Sequence, residues 1–140
     1  MQKDELETFL KREFPQVSGE VEIAELTASQ VTMRLITSDK HLRPGGTISG
    51  PTMFMLADVC FYLALLSVIG PKALTVTTSA HISFMRKPLA APLLATARRL
   101  KLGKSLAVGD VLLFSEGMEA PVAHASMTYA IPPATPSSVS

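Results

Sequence analysis

The sequence has few of the features that mark secreted, nucleic-acid-binding or disulfide-bonded proteins. It contains a single cysteine, Cys60, which excludes an intrachain disulfide bond. Charged residues make up 18% of the chain and the formal net charge is +1, so nothing points to nucleic acid or to a strongly acidic partner. Residues 1–14 mix acidic and basic side chains and lack the apolar core of a signal peptide, which predicts a cytoplasmic protein.

The short motifs that bind common cofactors are also missing. The sequence has no P-loop, no glycine-rich dinucleotide fingerprint and no serine nucleophile elbow. His81 and His124 lie in predicted strands without a second ligand at metal-binding spacing, so we expect neither a metal nor a cofactor. What is present is a chain of 140 residues, 47% of them hydrophobic, which is enough for one domain with a large core. Association into oligomers is a natural way to cover the excess apolar surface.

The most unusual stretch of the chain is an apolar run that ends at Gly70. Pro51 suits the first turn of a helix, Ser49 or the threonine after Pro51 can cap it, and Gly70 with the proline after it ends it. The run therefore predicts a helix over about residues 51–68. Because nearly every face of this helix is apolar, it must be buried on all sides. A membrane span needs a similar length, but the flanks lack a basic cluster and the rest of the chain alternates like strands.

The remaining residues predict a short helix and a series of strands. Residues 2–14 have apolar side chains on one helical face, and Pro15 ends that helix. A first pair of strands forms a hairpin, and four later strands form a meander. The predicted strands are 20–26, 30–37, 73–88, 93–102, 106–117 and 121–131.

This order of elements indicates an α+β fold in which a strongly curved antiparallel sheet wraps around the long helix. We expect one domain over residues 1–131 and a disordered proline- and serine-rich tail over 132–140. In the third strand, strict alternation predicts that Val76 and Thr78 face one side of the sheet and Thr77 the other. Gly109 predicts a bulge in the fifth strand.

Asp58 is the one charged residue between Arg43 and Lys72 and lies about two turns into the predicted helix. Burial of a carboxylate without a partner costs several kcal/mol, so its position needs an explanation. One interpretation is a general base or a nucleophile in a desolvated site. The alternative is a structural carboxylate that caps a segment or pairs with a basic residue from elsewhere in the fold.

The turn before the helix supplies further candidates. Gly50 lies at the predicted N-terminus of the helix, where free N–H groups and the helix dipole favour negative charge, so its N–H can serve as an oxyanion donor. The alternative is an ordinary turn glycine. His41 and Arg43 precede the turn, and each can contact a substrate, pair with Asp58 or lie in a surface loop.

Two later groups of residues can bind a ligand. Thr77 and Thr78 can form hydrogen bonds with it from a strand, although threonine is also a common strand residue. Arg86 and Lys87 end the same strand and can bind phosphates, with a solvated rim as the alternative.

The segments from Arg43 to Asp58 and from Thr77 to Pro88 together resemble the hotdog-fold thioesterases of the phenylacetyl-CoA thioesterase type. The resemblance implies a helix wrapped by a curved antiparallel sheet, homodimers with two active sites at the subunit interface, and dimers of dimers. It also implies that the Leu-Ala-Asp sequence ending at Asp58 carries the catalytic carboxylate.

The turn of this chain departs from the pattern of that family. The family has a His-Gly-Gly turn, in which Gly50 matches the first glycine, the oxyanion donor. Ser49 stands at the family's histidine and Pro51 at its second glycine, as in a divergent subgroup with an Ile-Ser-Gly-Pro turn. Arg43 stands where the family often has asparagine or glutamine.

The resemblance implies an acyl-CoA thioesterase that hydrolyses aryl or medium-chain substrates without a cofactor. Asp58 activates water or forms a mixed anhydride, the Gly50 N–H stabilises the oxyanion, and Arg43 and Ser49 orient the carbonyl or the water. The remaining predicted substrate contacts are an apolar pocket at Met53, Phe54 and Phe61, the partner subunit's Thr77 and the partner subunit's Thr78, and the phosphate-binding pair Arg86 and Lys87.

Two other functions are compatible with the same residues. A hydratase or dehydratase of this fold requires a histidine and an acid in one site, for which His41 and Asp58 are available. A non-catalytic acyl-CoA binding protein is favoured by the altered turn at Ser49 and Pro51. The sequence indicates no nucleic-acid or membrane partner.

Overall fold

The structure, a computed structural model, describes residues 1–36, 38–89 and 91–133. The helices are α1 (Lys3–Glu13), α2 (Pro15–Ser18) and α3 (Gly50–Ile69), and a 3-10 turn covers Asp39–His41. The strands are β1 (Val21–Leu26), β2 (Gln30–Leu35), β3 (Val76–Phe84), β4 (Leu93–Leu102), β5 (Leu106–Ser115) and β6 (Ala123–Ala130). They form one antiparallel sheet of six strands in the order β1-β2-β4-β5-β6-β3.

Helix α3 lies against this sheet, as its uniformly apolar surface requires. It is long and apolar enough to cross a membrane, with a mean hydropathy of 2.1 over its most apolar stretch of 18 residues, but most of the residues in this stretch are buried inside the protein itself. Leu56, Phe61 and Leu65 have no exposed surface. The Ser49 hydroxyl caps the helix by accepting a hydrogen bond from the Thr52 N–H at 3.3 Å. The predicted α+β architecture, a curved antiparallel sheet wrapped around one long helix, is confirmed.

The predicted four-strand meander is wrong in one respect. Strands β4, β5 and β6 do form a meander, but β3 lies at the far edge beside β6, and β2 pairs with β4. Helix α3 contacts five neighbouring strands of the sheet, namely β2, β4, β5, β6 and β3, so it runs across the sheet. A helix of this length spans about 30 Å and six strands span about 24 Å. After α3, the chain therefore reaches the edge of the sheet opposite β1, where β3 lies.

A bulge in β3 decides which of its side chains face the helix. The register against β6 shifts between Thr77 and Ser79, which leaves Thr78 as the extra residue. Directly opposed residues of neighbouring strands point to the same side of a sheet, and Thr77 opposes the buried Tyr129. The expectation of strict alternation is thus wrong at Thr78, and Thr77 faces α3 on the same side as Ile82.

The bulge predicted at Gly109 lies instead on the neighbouring strand. The register of β4 against β5 shifts between Arg99 and Lys101, opposite Gly109. A Cβ atom at Gly109 would clash with the ring of Phe61 and with the carbonyl oxygen of Arg98. The glycine is therefore needed because the Phe61 ring of α3 packs directly against the strand backbone.

The N-terminal segment forms two helices. Pro15 ends α1, as expected, but it also starts α2, which the sequence pattern did not indicate. Helix α1 buries Leu6, Phe9 and Leu10 in the core. The predicted tail lies outside the described residues from residue 134 onward, and so does residue 37 of the predicted second strand.

Candidate active site

Two hydroxyl groups hold the carboxylate of Asp58. The Thr77 hydroxyl donates a hydrogen bond to Asp58 Oδ1 at 2.6 Å. The Tyr129 hydroxyl lies 2.5 Å from the same oxygen and 2.9 Å from the Asp58 carbonyl oxygen. Burial, and then the nearby charge of Asp58, raises the pKa of Tyr129, so this hydroxyl keeps the proton that it donates. Helix α3, strand β3 and strand β6 thus contribute one residue each.

The second carboxylate oxygen of Asp58 is left open. Both side-chain hydrogen bonds end on Oδ1, and in the described part of the chain Oδ2 has no hydrogen-bond partner and is not fully buried. No basic side chain among these residues forms a salt bridge with Asp58. The interpretation of Asp58 as one half of a structural ion pair therefore finds no support. A carboxylate fixed through one oxygen and open at the other can act as a base or as a nucleophile.

Asp58 opens into a cleft of about 390 Å³, which we call the apolar cleft. This volume lies within the usual range for small-molecule sites. Asp58 carries the one charge among the lining residues, and the hydroxyl oxygen of Thr75 is buried there with no partner in the described part of the chain. The lining residues are Phe14, Gln16, Val17, Met55, Asp58, Val59, Tyr62, Thr75, Val76, Thr77 and Tyr129.

A second cleft of about 650 Å³ lies at the N-terminus of α3, and we call it the cationic cleft. Its charged lining residues, Arg43, Arg86 and Lys87, are all basic. Gly50 lines it as well, and a Cβ atom there would lie 3.3 Å from the ring of Phe84, so a larger residue would crowd that ring. The other lining residues are Pro44, Gly45, Thr47, Ile48, Met53, Phe84 and Pro88.

The two clefts lie too far apart to serve one reacting group within a single chain. Gly50 and Asp58 belong to the same helix, which rises about 1.5 Å per residue, so they are about 12 Å apart along its axis. A thioester carbonyl that accepts a hydrogen bond from the Gly50 N–H is therefore out of reach of Asp58 in the same chain.

The structure divides most of the predicted site residues between the two clefts. Those in the cationic cleft are Arg43, Gly50, Met53, Arg86 and Lys87. Asp58 and Thr77 meet in the apolar cleft, and both belong to the same chain. The Ser49 hydroxyl is engaged in capping α3. The Thr78 hydroxyl donates to the Thr128 carbonyl at 3.2 Å, outside both clefts.

The aromatic lining of the cleft differs from the prediction. Phe54 is 36% exposed and lines neither cleft, and Phe61 is fully buried against Gly109. The aromatic residues of the apolar cleft are instead Phe14, Tyr62 and Tyr129.

His41 takes no part in either cleft. Its Nδ1 accepts a hydrogen bond from the Ser38 N–H at 3.0 Å, which leaves Nε2 to donate to Glu20 Oε2 at 3.2 Å. Lys40 contacts the same carboxylate, and these partners, Lys40 first, lower the pKa of Glu20. A pairing of His41 with Asp58 is not present.

Tyr129 is the site residue that the sequence reasoning missed. Strand β6 turns Ala123, Ala125, Met127 and Tyr129 towards the core, and all four are buried. A hydroxyl group in such an inward-facing series needs a buried partner. The inward-facing position of Tyr129 in the predicted strand was the signal that could have identified it as a site residue.

The fold and the carboxylate-bearing cleft define a hotdog-fold protein of the thioester-hydrolase class. The chain matches the thioesterase superfamily model over residues 45–129. It is 57% identical to a candidate thioesterase from Silicibacter sp. TM1040, with 95% of this chain and 93% of that chain covered and a TM-score of 0.89. The chain belongs to the thioesterase superfamily and is a thioester hydrolase.

More distant solved structures share the fold alone. Zebrafish thioesterase superfamily member 2 is 20% identical, with 94% of this chain and 99% of that chain covered and a TM-score of 0.82. A mutant of the phenylacetic acid degradation protein PaaI from Thermus thermophilus is 23% identical, with 84% and 99% covered and a TM-score of 0.71. No curated protein matches the sequence significantly.

Proposed function

We propose that this protein is a cytoplasmic acyl-CoA thioesterase that hydrolyses aryl or medium-chain substrates at two sites in a homodimer interface. The observation that carries the proposal is Asp58, which lines the apolar cleft, is fixed through Oδ1 by Thr77 and Tyr129, and has an accessible Oδ2 without a hydrogen-bond partner in the described part of the chain. One domain over residues 1–131 supplies both clefts, and no cofactor takes part.

In this mechanism Asp58 acts through its open oxygen. Oδ2 takes a proton from water while the water oxygen attacks the thioester carbonyl. The negative charge moves to the carbonyl oxygen, where the Gly50 N–H at the N-terminus of α3 stabilises it. The tetrahedral intermediate then expels CoA as its thiolate, and the thiolate takes the proton from Asp58. Direct attack by Oδ2, with a mixed anhydride that water hydrolyses, uses the same geometry.

A dimer is needed because one chain cannot bring Gly50 and Asp58 to the same carbonyl. Strand β3 is one of the two edge strands of the sheet and offers its free edge to a second copy. Around it Leu74 is 78% exposed, Val76 53% and Phe84 52%. Pairing two copies along β3 would cover these apolar side chains and place the cationic cleft of one subunit against the Asp58 of the other.

The two clefts have the polarity that the two ends of an acyl-CoA require. The phosphates of CoA suit Arg43, Arg86 and Lys87 of the cationic cleft, because guanidinium and ammonium groups bind phosphate strongly. The acyl group suits the apolar cleft, where Asp58 carries the one charge. In this arrangement Thr77 acts beside Asp58 of its own chain, and Arg43 and Ser49 lie on the CoA side of the carbonyl.

A further association of dimers into a dimer of dimers has its own support. Leu100 and Leu102 at the end of β4, and Leu106 and Val108 at the start of β5, are all more than a third exposed. An apolar patch of this kind is usually covered by a partner. Light scattering on the purified protein distinguishes the dimer from the tetramer.

The experiment that tests the function measures free thiol released from a panel of acyl-CoAs, from aryl to long-chain. Asp58→Asn is expected to lower kcat by at least about 100-fold, which is the usual scale for losing a general base. The matched control is Asp110→Asn, because Asp110 pairs with Arg98 and His124 and lines neither cleft. This control is expected to stay within about two-fold of the wild type.

Two results would overturn the proposed function. Equal turnover by the wild type and Asp58→Asn would exclude the mechanism. Saturable acyl-CoA binding without thiol release by the wild type would favour the non-catalytic binding protein instead. The hydratase alternative has no support in the geometry, because His41 is bound to Glu20 and lines neither cleft.

A further inference from the structure

One wall of the apolar cleft comes from the N-terminal segment, before the region that matches the superfamily model. Phe14, Gln16 and Val17 line the cleft, whereas the matched region is 45–129. Phe14 lies at the junction of α1 and α2, and Pro15 starts α2 there. The short second helix therefore places these side chains beside the site rather than in the sheet.

The helix gives this cleft a direction and a length. The residues of α3 that line the cleft lie on one face of the helix, because the others follow Met55 by three, four and seven residues. They are Met55, Asp58, Val59 and Tyr62. Tyr62 is one turn beyond Asp58, about 6 Å further along the axis. An acyl group whose carbonyl lies at Asp58 and which extends away from the N-terminus of α3 passes Val59 and reaches the end of the cleft where the rings of Tyr62 and Phe14 lie.

Phe14 closes the cleft at this far end. Its ring packs edge-on against Tyr62, with 5.6 Å between the ring centroids and an interplanar angle of 87°. The Tyr62 hydroxyl donates to the Ala73 carbonyl at 3.0 Å, and the buried Phe9 ring lies 6.3 Å from Tyr62. These contacts hold the two rings in place, so the far end is a fixed wall.

The N-terminal segment that carries the wall is itself anchored. Leu6, Phe9 and Leu10 of α1 are buried in the core, and the Met1 ammonium group donates to the Ser67 carbonyl of α3 at 2.6 Å. The position of Phe14 is therefore tied to the same helix that carries Asp58.

We propose that the corner formed by Phe14, Gln16 and Val17 is the acyl-selecting wall of this enzyme and excludes long-chain acyl groups. The inference rests on the proposed function and names the substrate class of that site. A cavity of about 150 Å³ holds a benzene ring, so the 390 Å³ of the apolar cleft admits a ring on a short linker or a medium chain. A longer chain meets Phe14.

The test compares acyl-CoAs of increasing chain length, together with phenylacetyl-CoA. Phe14→Ala is expected to raise the long-chain to medium-chain ratio of kcat/KM by at least about ten-fold, because it opens the far end. Val17→Phe is expected to change the ratio in the opposite direction by filling part of the same cleft. The matched control is Phe114→Ala, because Phe114 lies on β5 and lines neither cleft.

A binding readout keeps this inference separate from the hydrolysis proposal. Calorimetry of the same ligands with Asp58→Asn, alone and combined with Phe14→Ala or Val17→Phe, reports chain-length preference without turnover. A shift in the preferred length in the binding data supports the wall even if no thiol is ever released. Variants that change the affinity for all chain lengths by one common factor would overturn the wall alone. Failure of every acyl-CoA to bind would overturn both proposals.

Discussion

At the scale of single residues, the hydrogen bond from Tyr129 to Asp58 sets the orientation of the carboxylate. Without it, Oδ1 keeps one donor, Thr77, and the carboxylate gains freedom to rotate. Hydrogen bonds to charged groups contribute about 1.5–3 kcal/mol, which corresponds to roughly a ten- to hundred-fold change. We therefore expect Tyr129→Phe to lower kcat by at least ten-fold while KM stays within about two-fold.

Steady-state kinetics on one acyl-CoA, with circular dichroism to confirm folding, checks this prediction. Thr96→Val is a suitable control, because it removes a hydroxyl that contacts Thr32 and lines neither cleft. A Tyr129→Phe enzyme with wild-type kcat would show that Thr77 alone is enough to hold the carboxylate.

At the scale of elements, the loop between β2 and α3 is fastened by an ionic contact. His41 and Lys40 both contact Glu20, next to β1, and the His41 carbonyl accepts a hydrogen bond from the Ser49 N–H at 2.8 Å. Glu20 therefore helps to fix the turn that starts α3. Its partners, Lys40 first, lower the pKa of Glu20 below its ordinary value of 4.5.

The sign of the resulting pH dependence follows from this lowered pKa. A carboxyl group with a lowered pKa stabilises the fold above its ordinary pKa, and this contribution is lost as the pH falls through the folded-state value. We expect Glu20→Gln to be less stable than the wild type at pH 7, with a difference that shrinks below about pH 4.5. Urea unfolding from pH 7 to pH 3 measures it. Glu119→Gln is the control, because Glu119 is exposed and has no salt bridge in the described part of the chain. A difference that grows towards low pH would contradict the assignment.

Strand β3 shows where inference from the sequence stops. The run of alternating residues was enough to place a strand there, but alternation gives no signal for the bulge at Thr78. The bulge arises from pairing with β6, which lies far away in the chain, and it turns Thr77 towards Asp58. The position of β3 beside β6 has the same kind of cause, because it depends on the path of α3 across the sheet.

Helix α3 shows the opposite case, in which local signals suffice. Ser49, Pro51 and Gly70 mark its ends with the capping chemistry that the structure contains. Its uniformly apolar composition demanded burial, and Asp58 was conspicuous as the single charge within it. The Phe14 wall gave no such local signal, because its role depends on a contact with Tyr62 in a distant element.

At the scale of the whole molecule, the two clefts must come from different subunits if they act on one thioester. This requirement can be tested by mixing two defective chains. Asp58→Asn removes the base, and the double variant Arg43→Glu with Arg86→Glu reverses the charge of the cationic cleft without changing Asp58. Each homodimer is expected to be nearly inactive. The Asp58→Asn homodimer has a greatly lowered kcat, and the homodimer of the double variant has a greatly raised KM.

A heterodimer of these two chains regains one intact site. In it, the unmodified cationic cleft of the Asp58→Asn chain faces the unmodified Asp58 of the other chain. Random pairing of equal amounts makes half of the dimers mixed, each with one of two sites intact, so about a quarter of the wild-type activity should return. Co-expression of the two chains with different affinity tags, followed by a thiol-release assay, measures this recovery. If each chain held a complete site, mixing would restore no activity, and the shared site would have to be abandoned.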